Sequence, residues 1–429
     1  MKPKQLAEKT IVQSMAIGFA VLVTSLCFSS YAAEDETNAS TIYRRASSLL
    51  AQLPQDFPNR TSSVINNGWQ VENEDLKELL TKNHEAIGEF KRATRLSYCQ
   101  FTSGAPMKKD ASTELPQHAD EVNVARLVLL EGRQWEKENR PDLALENYLS
   151  VLRFANHLGQ QKDFILLSKL LEIIVRRLAF APLEQHINRE QLTTQDCRHL
   201  LDSLVSLRRQ DAGLEGAFEE EKEAAKNTIR TIKKKEWYNA FYNYEKMYNE
   251  FDRLEDEYLS YLVTAYRENK PEAYEERVRR FREQLEIDTK PFNMAWKGLQ
   301  ARLGLPEGID YPTLTARQVF AIVAPRSTKV ITRYYASLSE FDALITAAAV
   351  RLYELENGQI PDTLQAVVPT YLSKLPEDPF DDFKPLRYER REKRWIVYSI
   401  GPDREDNDGK LRYEEAGSDK VGDIVVSSL

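Results

Sequence analysis

The densest chemistry in this chain of 429 residues lies near its C-terminus, in Gly401-Pro402-Asp403-Arg404-Glu405-Asp406-Asn407-Asp408-Gly409. Asp, Glu and Asn side chains follow one another there within a single turn. Calcium takes about six to eight hard oxygen ligands in loose geometry, and a loop of carboxylates, amides and backbone carbonyls supplies them. An EF-hand register sets Asp406, Asp408, Gly409 and Glu415 correctly. It also leaves Arg404 at the first ligand position and a strand where a helix should precede. The plainer alternative is a solvated acidic turn whose Asp and Asn simply favour turn backbone.

Elsewhere the reactive residue types are scattered. No HExxH zinc pair, GxSxG elbow, phosphate loop or dinucleotide fingerprint occurs. The five histidines (His84, His118, His157, His186 and His199) lack metal-ligand spacing, and each reads as a surface or core residue. Cys99 and Cys197 are open to two readings, a disulfide or two buried thiols. With 59 Lys and Arg against 67 Asp and Glu, the net charge of −8 gives no electrostatic reason to expect nucleic acid. No residue is a candidate for catalysis. An enzyme with an acidic cleft in the helical part is the alternative with the least support.

The acidic loop needs elements to hold it. Upstream, Ile331, Tyr335, Leu338, Phe341, Ile345, Ala348, Leu352 and Leu355 share a stripe that predicts a helix over residues 327–356. Asn357-Gly358 and Pro361 end it. Alternation predicts strands at Leu386–Arg390 and Trp395–Ile400, with Ile424-Val425-Val426 as an edge strand. The expectation is one helix laid on a small antiparallel sheet, an α+β unit.

From about Thr41 to Ala324 the pattern is helical, cut into ordinary lengths by Pro and Gly. Gly132, Trp135, Ala144 and Tyr148 fall at the small and aromatic offsets of a tetratricopeptide-like hairpin, and this segment resembles one degenerate repeat. Val151 and Asn156 depart from the pattern, and no second copy follows at that period. Trp237, Phe241, Tyr244, Tyr248, Phe251, Tyr258 and Leu262 form a helical stripe, read as a packing seam in preference to a sugar- or peptide-binding face. The Glu219–Glu221 and Lys233–Lys235 runs read as solvated faces.

At the N-terminus, Lys2, Lys4 and Lys9 precede 24 uncharged residues, Thr10 to Ala33, followed at once by acidic residues. This is the layout of a secretory signal cut near Ala32 or Ala33. An uncleaved anchor is the rival, since a span needs about 20 residues. Either way the bulk of the chain is exported, to the periplasm or cell envelope, and it touches membrane only through this segment. The expected organisation is a signal over 1–33, a helical domain over 34–326 and the α+β domain over 327–429.

The α+β tail resembles the major pseudopilin of type II secretion systems. The landmarks run in order from the helix exit Ala349–Pro361, through Leu364, Val368-Pro369, Tyr371-Leu372 and Leu375–Phe380, to Tyr398–Asp403 and Gly422-Asp423-Ile424. The resemblance implies a calcium loop after the second strand. The Ile400 carbonyl and Asp403 would open the site, Asp406 and Asp408 would lie between, and Asp423 would close it. A pseudopilin, however, begins with its long helix, and here the matching helix follows the helical domain, while Val23 stands where the Glu after Gly18-Phe19 is expected. The implied function is a non-enzymatic envelope scaffold with a protein or peptide partner and a calcium-stabilised module. A component of a type II secretion-like system is the alternative.

Overall fold

The computed structural model describes residues 36–69, 73–101, 118–161, 166–232, 244–268, 313, 316, 317, 320, 328–392, 394–413 and 422–428. The N-terminal segment, Lys233–Lys235, Trp237, Phe241 and Glu415 lie outside them. The chain is mainly helical, with one three-stranded antiparallel sheet near the C-terminus. Among the described residues no helix is long and apolar enough to cross a membrane.

Local chemistry places the helix starts. Asn38, Asn73 and Thr193 cap α1 (Ala39–Ser48), α3 (Glu74–Lys82) and α9 (Thr194–Arg209), each side-chain oxygen accepting a free N–H of the first turn. Proline occupies the first turn of α2 (Phe57–Asn67) and of α6 (Pro141–Gly159), where its missing N–H costs nothing. Between these lie α4 (His84–Ala93) and α5 (Ala119–Lys137). Then come α7 (Leu166–Leu178), α8 (Phe180–Ile187), α10 (Glu215–Ile232) and α11 (Tyr244–Arg267).

Helices α5 and α6 form the hairpin that the small and aromatic positions predict. A Cβ at Gly132 would stand 2.5 Å from Tyr148 Cε1, so glycine there lets the two helices meet over the tyrosine ring. Ala144 and Tyr148 are buried, and Trp135 packs at the edge of the core. Asn156, off the repeat pattern, is buried as well and donates to the Leu207 carbonyl at 2.8 Å, tying α6 to α9. Of the aromatic stripe, Phe251, Tyr258 and Leu262 are buried in a core shared with α10 and α12, which makes this part of it a packing seam.

The long α12 (Thr328–Asn357) is the hub. Its first turns join the core of α7, α10 and α11, and its second half joins the main core of α1–α6, α8 and α9. The expected single apolar stripe is too narrow a description. Phe341, Ala343, Leu344, Ile345, Ala347, Ala348, Ala349 and Val350 are all buried, so the helix is enclosed on every side. Gly358, at φ 69°, closes it and donates to the Glu354 carbonyl.

After a short 3-10 turn (Leu364–Val367) come β1 (Arg387–Arg391), β2 (Arg394–Ser399) and β3 (Ile424–Ser427), in the order β1-β2-β3. Tyr388 pairs with Val397, and Val397 with Val426. Trp395, Val397 and Val426 face the main core. Ile396 and Tyr398 on the opposite face are buried too, because Gly409 of the acidic loop lies against them. The alternation in β2 therefore separates two covered faces, and the loop is the cover of one.

Candidate metal centre

Strand β2 delivers the chain into the loop through a buried carboxylate that the sequence pattern did not single out as functional. Asp378, fully buried, accepts the N–H of Phe380 at 2.9 Å, the N–H of Ile400 at 2.9 Å and the Ser399 hydroxyl at 2.7 Å. Burial pushes its carboxyl up, while these donors pull it down. Its signal in the sequence was the Asp-Pro turn, which promised rigidity and not an anchor for the loop. Gly401 follows at φ 74°, and a Cβ there would strike the Gly422 carbonyl at 2.2 Å. The loop entrance and the approach to β3 thus touch backbone to backbone.

That contact gathers part of the expected ligand set. Asp403 Oδ2 accepts the Gly422 N–H at 2.6 Å, beside Asp423 in the chain. Asp423 is 0 % exposed and accepts the N–H groups of Asn407 at 3.1 Å and Gly409 at 2.7 Å. Burial pushes the Asp423 carboxyl up, the Gly409 and Asn407 N–H groups oppose this, and the charges of Asp406 and Asp403 push it further up. The Ile400 N–H is committed to Asp378, and the turn that opens the loop is closed by the Arg404 N–H donating to the Gly401 carbonyl.

The other two residues turn elsewhere. Asp406 pairs with the Arg387 guanidinium and accepts the Tyr398 hydroxyl at 3.2 Å. Asp408, its side chain 63 % exposed, pairs with Lys410 at 2.9 Å, and its carbonyl accepts from Arg391. Among the described residues no group of three or more His, Cys, Asp or Glu is arranged to hold a metal ion. In donor type and charge the loop suits a hard cation, because a buried carboxylate with two acidic neighbours is relieved by positive charge. Asp403 and Asp423 each already accept backbone N–H groups, and Asp406 is held by Arg387.

Cys99 and Cys197 are both free thiols, one half-buried and one buried. His157 bonds the Tyr43 hydroxyl at 2.9 Å and His186 is enclosed by the core. The helical body also carries an open groove of about 890 Å³ between the end of α4, α6 and α9, lined by Arg95, Ser97, Arg153, Ser203 and Gln210 among others. Sequence spacing gave no sign of this groove, because its walls come from three separated helices. No family model, no curated protein and no solved structure matches this chain.

Proposed function

We propose that this chain is a non-enzymatic, exported scaffold of the cell envelope. Its helical body offers a groove to a protein or peptide partner, and its C-terminal module is a pseudopilin-like unit stabilised by calcium. The observation that carries the reading is the polar groove on the helical body, open to solvent and bordered by helices rigidly packed on the same core as the sheet. Calcium would be held by Asp403 and Asp423, with the Ile400 carbonyl, Asp406 and Asp408 as further oxygens. It would tie the loop to β3, a structural role.

Two measurements test it. Photo-crosslinkers at Ser97 and Ser203 should give a discrete adduct with an envelope protein in intact cells. Adducts no different from those at a control surface position would overturn the partner groove. Thermal unfolding of the whole chain should shift upward with calcium and back with chelator, and the shift should vanish in Asp403→Ala. Indifference to calcium would reduce the loop to a solvated turn. The second reading, an accessory of type II secretion-like machinery, rests on the ordered landmarks of the tail. It requires that removing this protein impair export of secreted enzymes.

A further inference from the structure

Where the helical body meets the sheet module, a second cavity of about 620 Å³ opens between α9, α12 and the segment 371–383. Its volume is that of a small-molecule site, and such sites favour junctions between packed units. The floor is one face of α9, formed by Asp202, Val205, Ser206 and Arg209 at the i, i+3, i+4, i+7 spacing. Asp202 and Ser206 also line the larger groove, so the two spaces adjoin.

The charges on this floor are unevenly satisfied. Arg208 is held by Asp342 at 2.9 Å, and Lys374 by Glu377 at 3.1 Å. Asp202 and Arg209 are exposed, and among the described residues neither side chain makes a hydrogen bond or ion pair, although Arg198, held by Glu356, lies within electrostatic reach of Asp202. Seven residues apart on one helix face, they stand about 10 Å apart along the axis at 1.5 Å per residue. The lining is mixed: Val205, Leu338, Ile345, Leu372 and Phe383 supply apolar surface beside the paired Arg208 and Asp342. Phe383 is 46 % exposed and, like Asp382 before it, holds a positive φ (58° and 47°). Its N–H bonds to the Asp378 carbonyl, so the same buried residue that anchors the loop also holds the backbone at Phe383. A bulky residue is rarely held in that conformation.

An anion-seeking group, a cation-seeking group and apolar surface beside them describe a short zwitterion with an apolar side chain. An extended chain covers about 3.3 Å per residue, so three residues bridge the separation. From this geometry we infer that the cavity binds the free ends of a peptide of about three residues. The ligand amine pairs with Asp202, its carboxylate with Arg209, and a bulky apolar side chain enters the space beside Phe383. This rests on the partner-groove reading and gives it a ligand class.

The test is titration calorimetry of the full chain with Ala-Phe-Ala bearing free ends, its N-acetylated form and its C-amidated form. The free peptide should bind once per chain, and blocking either end should weaken binding by about tenfold or more, the loss of one charge-assisted contact. Arg209→Gln should erase the difference between free and amidated peptide, and Asp202→Asn that between free and acetylated peptide. Both residues are exposed, so an unchanged melting temperature verifies the fold of each variant. Equal binding of free and blocked peptides, or no saturable binding at millimolar peptide, overturns the inference. Binding of a six-residue peptide blocked at both ends, without binding of the free tripeptide, also overturns it while leaving the partner groove standing.

Discussion

Buried ionisable residues give the sharpest tests at the scale of single side chains. Glu121 is 4 % exposed and sits 3.9 Å from His118, yet the two are not an ion pair near pH 6. Burial pushes the glutamic acid up to about 7 and the histidine down to about 4. The folded state therefore binds more protons at Glu121 than the unfolded chain does between about pH 4.5 and 7, so stability falls as pH rises through that window. Glu121→Gln should be about 2–3 kcal/mol more stable than wild type at pH 8, with the gain fading toward pH 4.5. Urea midpoints at both pH values check it.

Asp211 behaves in the opposite sense. Burial pushes its carboxyl up, but Arg176 at 2.7 Å and Lys169 outweigh burial and hold it well below the ordinary range, and the Tyr334 hydroxyl donates to it as well. Its contribution is therefore full above the unfolded carboxylate range near pH 4 and is lost as pH falls below it. Removing the charge leaves the buried Arg176 and Lys169 to share Glu172 alone, one positive charge in excess, so Asp211→Asn should cost about 3–5 kcal/mol at pH 7. The gap to wild type in denaturant titrations should narrow as pH is lowered toward the acid limit. None of this was legible beforehand. Sequence shows that a residue is Asp or Glu, while its burial and its cationic neighbours come from α5, α7 and α12.

At the scale of elements, the α5–α6 hairpin is the case in which residue type and structure agree most closely. Small and aromatic positions stated which faces meet, and Gly132 over Tyr148 is how they meet. Gly132→Val should overpack that contact and destabilise by about 1–3 kcal/mol, read as a lowered melting temperature. The strands were likewise readable, each within a residue of its observed limits, because β-branched and aromatic alternation and the flanking turns are local signals. What covers them was not. Glu184 of α8 and Asn188, its C-cap, bond the backbone of Ser427 and occupy the outer edge of β3 at that residue. The acidic loop covers the face of β2 that carries Ile396 and Tyr398.

At the scale of the molecule, residue 327 marks a change of composition but no break in packing. Leu352, Ile360, Trp395, Val397 and Val426 lie in one core with Tyr43, Phe90, Leu130 and Leu200 of the helical body. A fragment of residues 327–429 would leave α12 with most of its apolar surface in water, at about 25 cal/mol per Å². It should fail to show a cooperative melt, whereas the whole chain should lose sheet and body in one transition, measured by circular dichroism and hydrogen exchange.

Sequence alone determined the helical class, the end of the long helix at Asn357-Gly358, the three strands and the loop that concentrates oxygen donors. These follow from periodicity, caps and turn chemistry, which act over a few residues. Tertiary structure decided that α12, laid on the sheet along one side, is enclosed by helices on the others, and that Asp378 anchors the loop. It also turned Asp403 and Asp423 toward backbone N–H groups while sending Asp406 and Asp408 to basic partners, and it set Asp202 and Arg209 at the edge of one cavity. Each of these depends on which distant segments share a neighbourhood, and burial and pairing energies are fixed only once those segments meet.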